Sequence, residues 1–188
     1  MAESGLDSLR ETHEVNVEWR AYELRPRGAE PMPPQYRERI RQGWPRVAQM
    51  ARERFGLELQ RPETGDEEGG QTRLAHIGAK YAIAQGVGEA YHKAVFRAHW
   101  QQLLDIASPD ILAQIAVSIG LDEAAFRTAL TSLEYASAVE ADEYWAYQQQ
   151  LGGVPAFIFG NRYLVSGAQP PEMLRQVADR CMAEGLAE

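Results

Sequence analysis

The sequence predicts an α/β fold in which a block of helices is inserted between an early strand and a late β-hairpin. Three observations predict it: a period-two run from Val15 to Tyr22, three-and-four spacing of apolar residues from Gln35 to Gln149, and an apolar run Val154 to Phe159 followed by Gly160-Asn161 and Arg162 to Val165. At 188 residues, 45% of them apolar, the chain is long enough to bury an ample core. Residues 1–33 and 150–188 are expected to form one discontinuous domain, and residues 34–149 an inserted helical domain.

In chain order, Ser4 to His13 sets Leu6 and Leu9 three apart among Asp7, Arg10 and Glu11, the pattern of a short helix. From Glu14, Val15, Val17, Trp19 and Ala21 alternate with Asn16, Glu18, Arg20 and Tyr22, which describes a half-buried strand. Arg25 to Pro34 holds prolines 26, 31, 33 and 34, each without a backbone donor, and reads as a loop. Gln35 to Phe55 carries Tyr36, Ile40, Trp44, Val47 and Ala51 at helical spacing; Pro45 is expected to bend or restart this helix and Gly56 to end it. Glu63 to Gly70 lacks periodicity and reads as a loop. Helices are then expected over Thr72–Gln85, Val87–Ile106, Pro109–Ile119, Asp122–Leu130 and Leu133–Gln149, with Ser108-Pro109 and Asp122 as capping signals. The hairpin follows, and Pro170 to Glu184 closes the chain as a helix with Leu174, Val177 and Cys181 on one stripe.

Several function classes are disfavoured at once. Nineteen Lys and Arg against 27 Asp and Glu leave a net charge of −8, the wrong field for nucleic acid or an anionic membrane. No apolar run reaches the roughly 20 residues that span a bilayer, and the first residues are polar and acidic where a secretory signal is basic and then apolar, so a cytoplasmic location is expected. Cys181 is the one cysteine, and with four scattered histidines it makes neither an internal disulfide nor a tetrahedral zinc site. His76, His92 and His99 contain no short chelating pair, and neither metal nor cofactor is expected. Tyr135, Tyr144, Trp145 and Tyr147 admit two readings, core packing or the lining of a small-molecule cleft, of which core is the commoner. Arg37, Arg39, Arg41, Arg46, Arg52 and Arg54 read as a solvated basic face with few local acids. Cys181 itself, on an apolar stripe, reads as a small buried hydrophobe. Pro155 follows two glycines at the front of an apolar strand, where its missing donor does no harm to a ladder.

The run Gly153-Val154-Pro155-Ala156-Phe157, the run Asn161 to Glu172 and the stretch Val17 to Pro26 together resemble the thioredoxin-fold DsbA family, in particular its FrnE-like branch. The resemblance implies a thioredoxin-like fold, incomplete at the N-terminus, with an inserted helical domain. It also implies thiol–disulfide exchange at a Cys-X-X-Cys pair facing a cis-proline, with thiol- or disulfide-bearing peptides or small molecules as partners. Pro155 is then the cis-proline, and Gly153, Val154 and Pro155 the substrate-binding residues, with the Val154 backbone pairing an extended peptide. The cysteine pair itself is absent, so no catalytic residue is assigned; the resemblance places that pair and the first strand before Met1. Two alternatives accompany this reading. Kappa-class glutathione transferases and 2-hydroxychromene-2-carboxylate isomerases are related and use glutathione, which would then be the partner. The other alternative is a non-catalytic protein that binds peptides or itself. Because the implied central strand is missing between Val15–Tyr22 and the hairpin, a second copy is expected to fill the gap and form a homodimer, the competing outcome being a monomer whose hairpin and first strand pair directly.

Overall fold

The computed structural model describes residues 2–61 and 72–186. Its helices are α1 (Ala2–Arg10), α2 (Pro34–Phe55), α3 (Arg73–Ala84), α4 (Gly88–Trp100), α5 (Pro109–Ser118), α6 (Glu123–Leu130), α7 (Leu133–Gln148) and α8 (Pro171–Ala183). Its strands are β1 (Ala156–Phe159) and β2 (Tyr163–Ser166). The chain divides into two compact units, one running to Trp19 and resuming at Tyr147, the other Arg20–Ala146. The expected loop at Glu63 to Gly70 lies outside the described residues. No described helix is long and apolar enough to cross a membrane.

The first unit is built on the hairpin. β1 and β2 pair antiparallel from Ala156↔Ser166 to Phe159↔Tyr163. Gly160 and Asn161 both take positive φ, 52° each, and the Arg162 amide donates to the Phe159 carbonyl at 2.9 Å, so the chain reverses through the handedness that suits twisted strands. Alternation puts Phe157, Phe159 and Val165 on one face, where they pack with Leu9, Leu174, Val177 and Ala178. α1 and α8 approach closely enough that a Cβ on Gly5 would lie 3.0 Å from Leu174 Cδ1.

The second unit is helical, with Tyr91, Leu112, Phe126 and Val139 almost wholly enclosed. Ser108 and Asp122 cap α5 and α6 by accepting from the Ile111 and Ala125 amides. A Cβ on Gly78 would meet the Tyr91 hydroxyl at 2.3 Å and Phe126 Cζ at 2.7 Å, so only glycine lets α3 sit on these rings.

Three expectations are corrected. Residues 14–23 are not a strand: burial alternates residue by residue from His13 to Leu24, but the sheet of the described residues has two strands, both from the hairpin. Part of the reason is local, because the Ala21 amide donates to Asp142 Oδ2 of α7 at 2.6 Å and the Tyr22 backbone is bonded to the His76 ring of α3. Second, α2 runs unbroken through Pro45 and starts at Pro34, whose missing donor is harmless at a helix's first position. Pro45 deprives the Arg41 carbonyl of its bond, but both residues are exposed and water can serve it. Third, α4 ends at Trp100 rather than Ile106: the Gln102 and Leu104 amides reach back to Arg97 and Ala98, and Leu103 takes φ of 55°. Ile106 still reaches the core, from a non-helical segment.

Candidate functional site

The hairpin is entered through a reversal that follows α7. Gln150 takes φ of 55° and its amide donates to the Tyr147 carbonyl at 2.9 Å; Gly152 and Gly153 then carry the chain to Val154 with no heavy atom within 4 Å of where their side chains would begin. The Val154–Pro155 peptide is cis. Pro155 precedes the first ladder residue, so its missing donor leaves no gap, and its carbonyl accepts from the Gly167 amide at 2.8 Å, one step beyond the Ala156↔Ser166 pair. Gly167 makes this bond at φ of 80°, a conformation that favours glycine.

Val154 is 47% exposed, and among the described residues its backbone amide and carbonyl form no hydrogen bond. It opens on a shallow cavity of about 370 Å³ lined by residues 151–155, Ser166 and Gly167. A second hollow of about 440 Å³, lined by Tyr147, Gln148, Gln150 and Leu151, adjoins it through the shared Leu151. Among the described residues Tyr147 is the only ionisable side chain in either lining. Chemically, the surface offers one open backbone step and neutral amides, hydroxyls and apolar groups. It offers no nucleophilic thiol. Gly153, Val154 and Pro155, singled out in the sequence, are therefore brought together in one cavity wall.

Cys181 lies in α8, 6% exposed, and burial pushes its thiol up, away from the thiolate that exchange chemistry needs. Among the described residues no cluster of three metal-ligating side chains exists. His76 and His92 are half-buried, and desolvation lowers both to about 4, so they are neutral rings at physiological pH. The aromatic cluster divides. Tyr135 packs edge-on against Tyr81 at 5.7 Å, the Arg20 guanidinium lies 4.3 Å from the centre of the Trp145 ring, and Tyr144 and Tyr147 are exposed. It is neither one core nor one cleft. The basic face of α2 has more acid than expected, since Glu38 takes two bonds from Arg41 and Glu58 takes two from Arg52.

The sequence reading missed a buried ionic layer in the second unit. Asp142, 4% exposed, accepts from the Ala21 amide, lies 3.4 Å from Arg20 Nη1 and pairs with Lys80. The signal was present, because Asp142 falls three after Val139 and four before Ala146, on the buried stripe of α7.

Residues 1–178 match the DSBA-like thioredoxin domain family. The chain is 29% identical over 167 residues to YwbO of Bacillus subtilis, covering 88% of this chain and 82% of that one. It is 32% identical over 98 residues to the thiol:disulfide interchange protein DsbA of Azotobacter vinelandii, covering 51% of this chain and 46% of the relative. Among solved structures it is similar to a probable DsbA oxidoreductase of Streptomyces coelicolor, with TM-score 0.78, 29% identity and coverage of 97% and 82% of the two chains. It shares its fold with a 2-hydroxychromene-2-carboxylate isomerase, at TM-score 0.77, 20% identity and coverage of 100% and 92%.

Proposed function

The chain belongs to the DSBA-like thioredoxin domain family, and from that premise we propose that it is a FrnE-like protein of the thiol–disulfide oxidoreductase type whose Gly153-Val154-Pro155 turn receives an extended thiol- or disulfide-bearing peptide. The observation that carries this reading is Val154, exposed, with an unbonded amide and carbonyl beside the hairpin register. An extended chain laid there gains two backbone bonds, the way peptides add to a sheet edge. These 188 residues contain one cysteine. A single thiolate can attack a disulfide and release one thiolate leaving group, but the mixed disulfide so formed has no second thiol to resolve it. Peptide binding and dithiol turnover are thus separable properties of this sequence.

The test is calorimetry with a cysteine-containing extended peptide. Val154→Pro removes the amide donor and is expected to weaken binding about tenfold, roughly 1.4 kcal/mol, while Leu164→Ala on the exposed hairpin face leaves it unchanged. Equal affinity for wild type and Val154→Pro would overturn the assignment. An insulin-reduction assay on the 188-residue chain is expected to show no turnover above buffer.

The glutathione-dependent isomerase reading draws on the fold shared with 2-hydroxychromene-2-carboxylate isomerase. It is the weaker one, because the cavity lining has no cationic side chain to receive the two carboxylates of glutathione. Glutathione titrated in the same calorimeter decides between them. Self-association is a further part of the proposal: β1 has no strand on its second edge among the described residues, so a second copy can add there, and sedimentation at micromolar concentration reads the outcome.

A further inference from the structure

Away from the hairpin, the ionic layer of the second unit contains more carboxylates than it can satisfy. Glu23 has a side chain 2% exposed, and the Glu143 carboxyl of α7 lies against it. One cation, Arg73 of α3, serves three acids: its Nη2 is 2.7 Å from Glu140 Oε1, and its Nη1 is 3.5 Å from Glu143 Oε2 and 3.7 Å from Glu23 Oε2. Only the contact to Glu140, itself an exposed residue, has hydrogen-bond length. Glu23 Oε1 and Glu143 Oε1 are both shut off from solvent and have no donor.

Among the described residues Arg73 is the one cation that acts on Glu23. Lys80 of α3 and Arg20 on the segment itself are engaged by Asp142, and His76 of α3 is a neutral ring bonded to the Tyr22 backbone. Buried acceptors without donors are rare because they forfeit water and gain nothing in return. Two facing carboxylates in that state also repel. One proton between them cures both defects, because the carboxyl that carries it donates to the other and one charge is removed.

We propose that Glu23 and Glu143 share a single proton and act as a pH-operated clasp that holds residues 20–24 on α7, closed in acid and loosened as pH rises through neutrality. The shift in Glu23 agrees in direction: burial first, then Glu143, raise it to about 7 against the partial opposition of Arg73. A carboxyl whose folded pKa lies above its ordinary 4.5 keeps its proton longer in the folded state. Its stabilising effect is therefore complete below about 4.5 and is lost as pH rises from there through about 7.

The test follows amide hydrogen exchange of residues 20–24 between about pH 5 and pH 9, corrected for the intrinsic rate, together with the infrared band of protonated carboxyl groups, in wild type, Glu23→Gln and Glu143→Gln. Wild type is expected to lose protection in this segment about tenfold across neutrality and to show a protonated-carboxyl band at pH 6 that fades with alkali. Either glutamine supplies a permanent amide donor, so both variants are expected to lose the band and keep their protection in alkali. Wild type without the band, or variants that loosen in alkali as wild type does, would overturn the clasp. Should Glu23→Gln fail to fold, Glu143→Gln, altered at a half-buried position, carries the same two readouts.

Discussion

Residues 14–23 and residues 156–166 carry the same sequence signature and reach different structures. Both alternate in burial or facing, one residue in and one out, yet only the hairpin has a ladder. In the hairpin each strand brings its partner along the chain, four positions away at Phe159↔Tyr163 and ten at Ala156↔Ser166, through a turn that fixes the register. Residues 14–23 have no local partner. Where the bonds of that segment are resolved, side chains of α3 and α7 take the place of a neighbouring strand: Asp142 receives the Ala21 amide, His76 meets the Tyr22 backbone and Arg73 reaches Glu23. Alternation states which side chains face inward. It does not state what the backbone bonds to.

If that contrast is right, the two regions break by different chemistry. The largest effect is expected from Asp142→Ala, which leaves Lys80 as an unpaired, mostly buried cation and the Ala21 amide without an acceptor; about 3–5 kcal/mol of stability should be lost in urea denaturation, and a loss below about 1 kcal/mol would show that residues 20–24 are held by something else. Leu174→Ala attacks the hairpin side by packing alone, since Leu174 is 1% exposed against Leu9 and the strand faces, and is expected to cost about 2–4 kcal/mol with no change in pH dependence. His76 sharpens the comparison from the acid side. Its pKa is lowered from 6.5 to about 4 by burial, so the unfolded chain binds a proton that the folded chain refuses; stability is complete above 6.5 and is lost as pH falls toward 4. His76→Asn should flatten that slope, worth up to about 3 kcal/mol at its foot, in thermal melts across the range. The smallest effect is expected from Gly167→Ala, where a side chain at φ of 80° costs about 1 kcal/mol and strains the bond to the Pro155 carbonyl, measurable as a lower midpoint with an unchanged denaturant slope.

What the sequence could disclose follows from how local each cause is. Gly160-Asn161 encodes its turn in two residues, Ser108 and Asp122 cap helices from a distance of three, and Pro155 sits where a missing donor is tolerated; each was legible because donor and acceptor lie within a few positions. The end of α4 was not, since Leu103, Leu104 and Ile106 continue the apolar spacing and no glycine marks the stop. The absent strand was not legible for a different reason, because a ladder is a property of two segments and only one was in view. The candidate site was legible as a turn, Gly153 to Pro155, but its neutral lining was not, since Ser166, Gly167 and the glutamines join it only through the fold. Asp142 could have been found, as an acid on an apolar stripe, whereas Glu23 required knowing that Glu143 would face it.

The neutral lining of the cavity beside Val154 also shapes the kinetics of whatever docks there. A surface with no charged side chain exerts no long-range pull of its own, so approach is governed by the chain's overall charge of −8. Basic peptides should arrive faster than acidic ones, and salt should narrow that gap by slowing the first and speeding the second. Once seated, the complex rests on backbone bonds and apolar contact, so its lifetime should barely respond to ionic strength. Choice of partner would then reside in the rate of encounter, and retention in the geometry of a single open step of backbone.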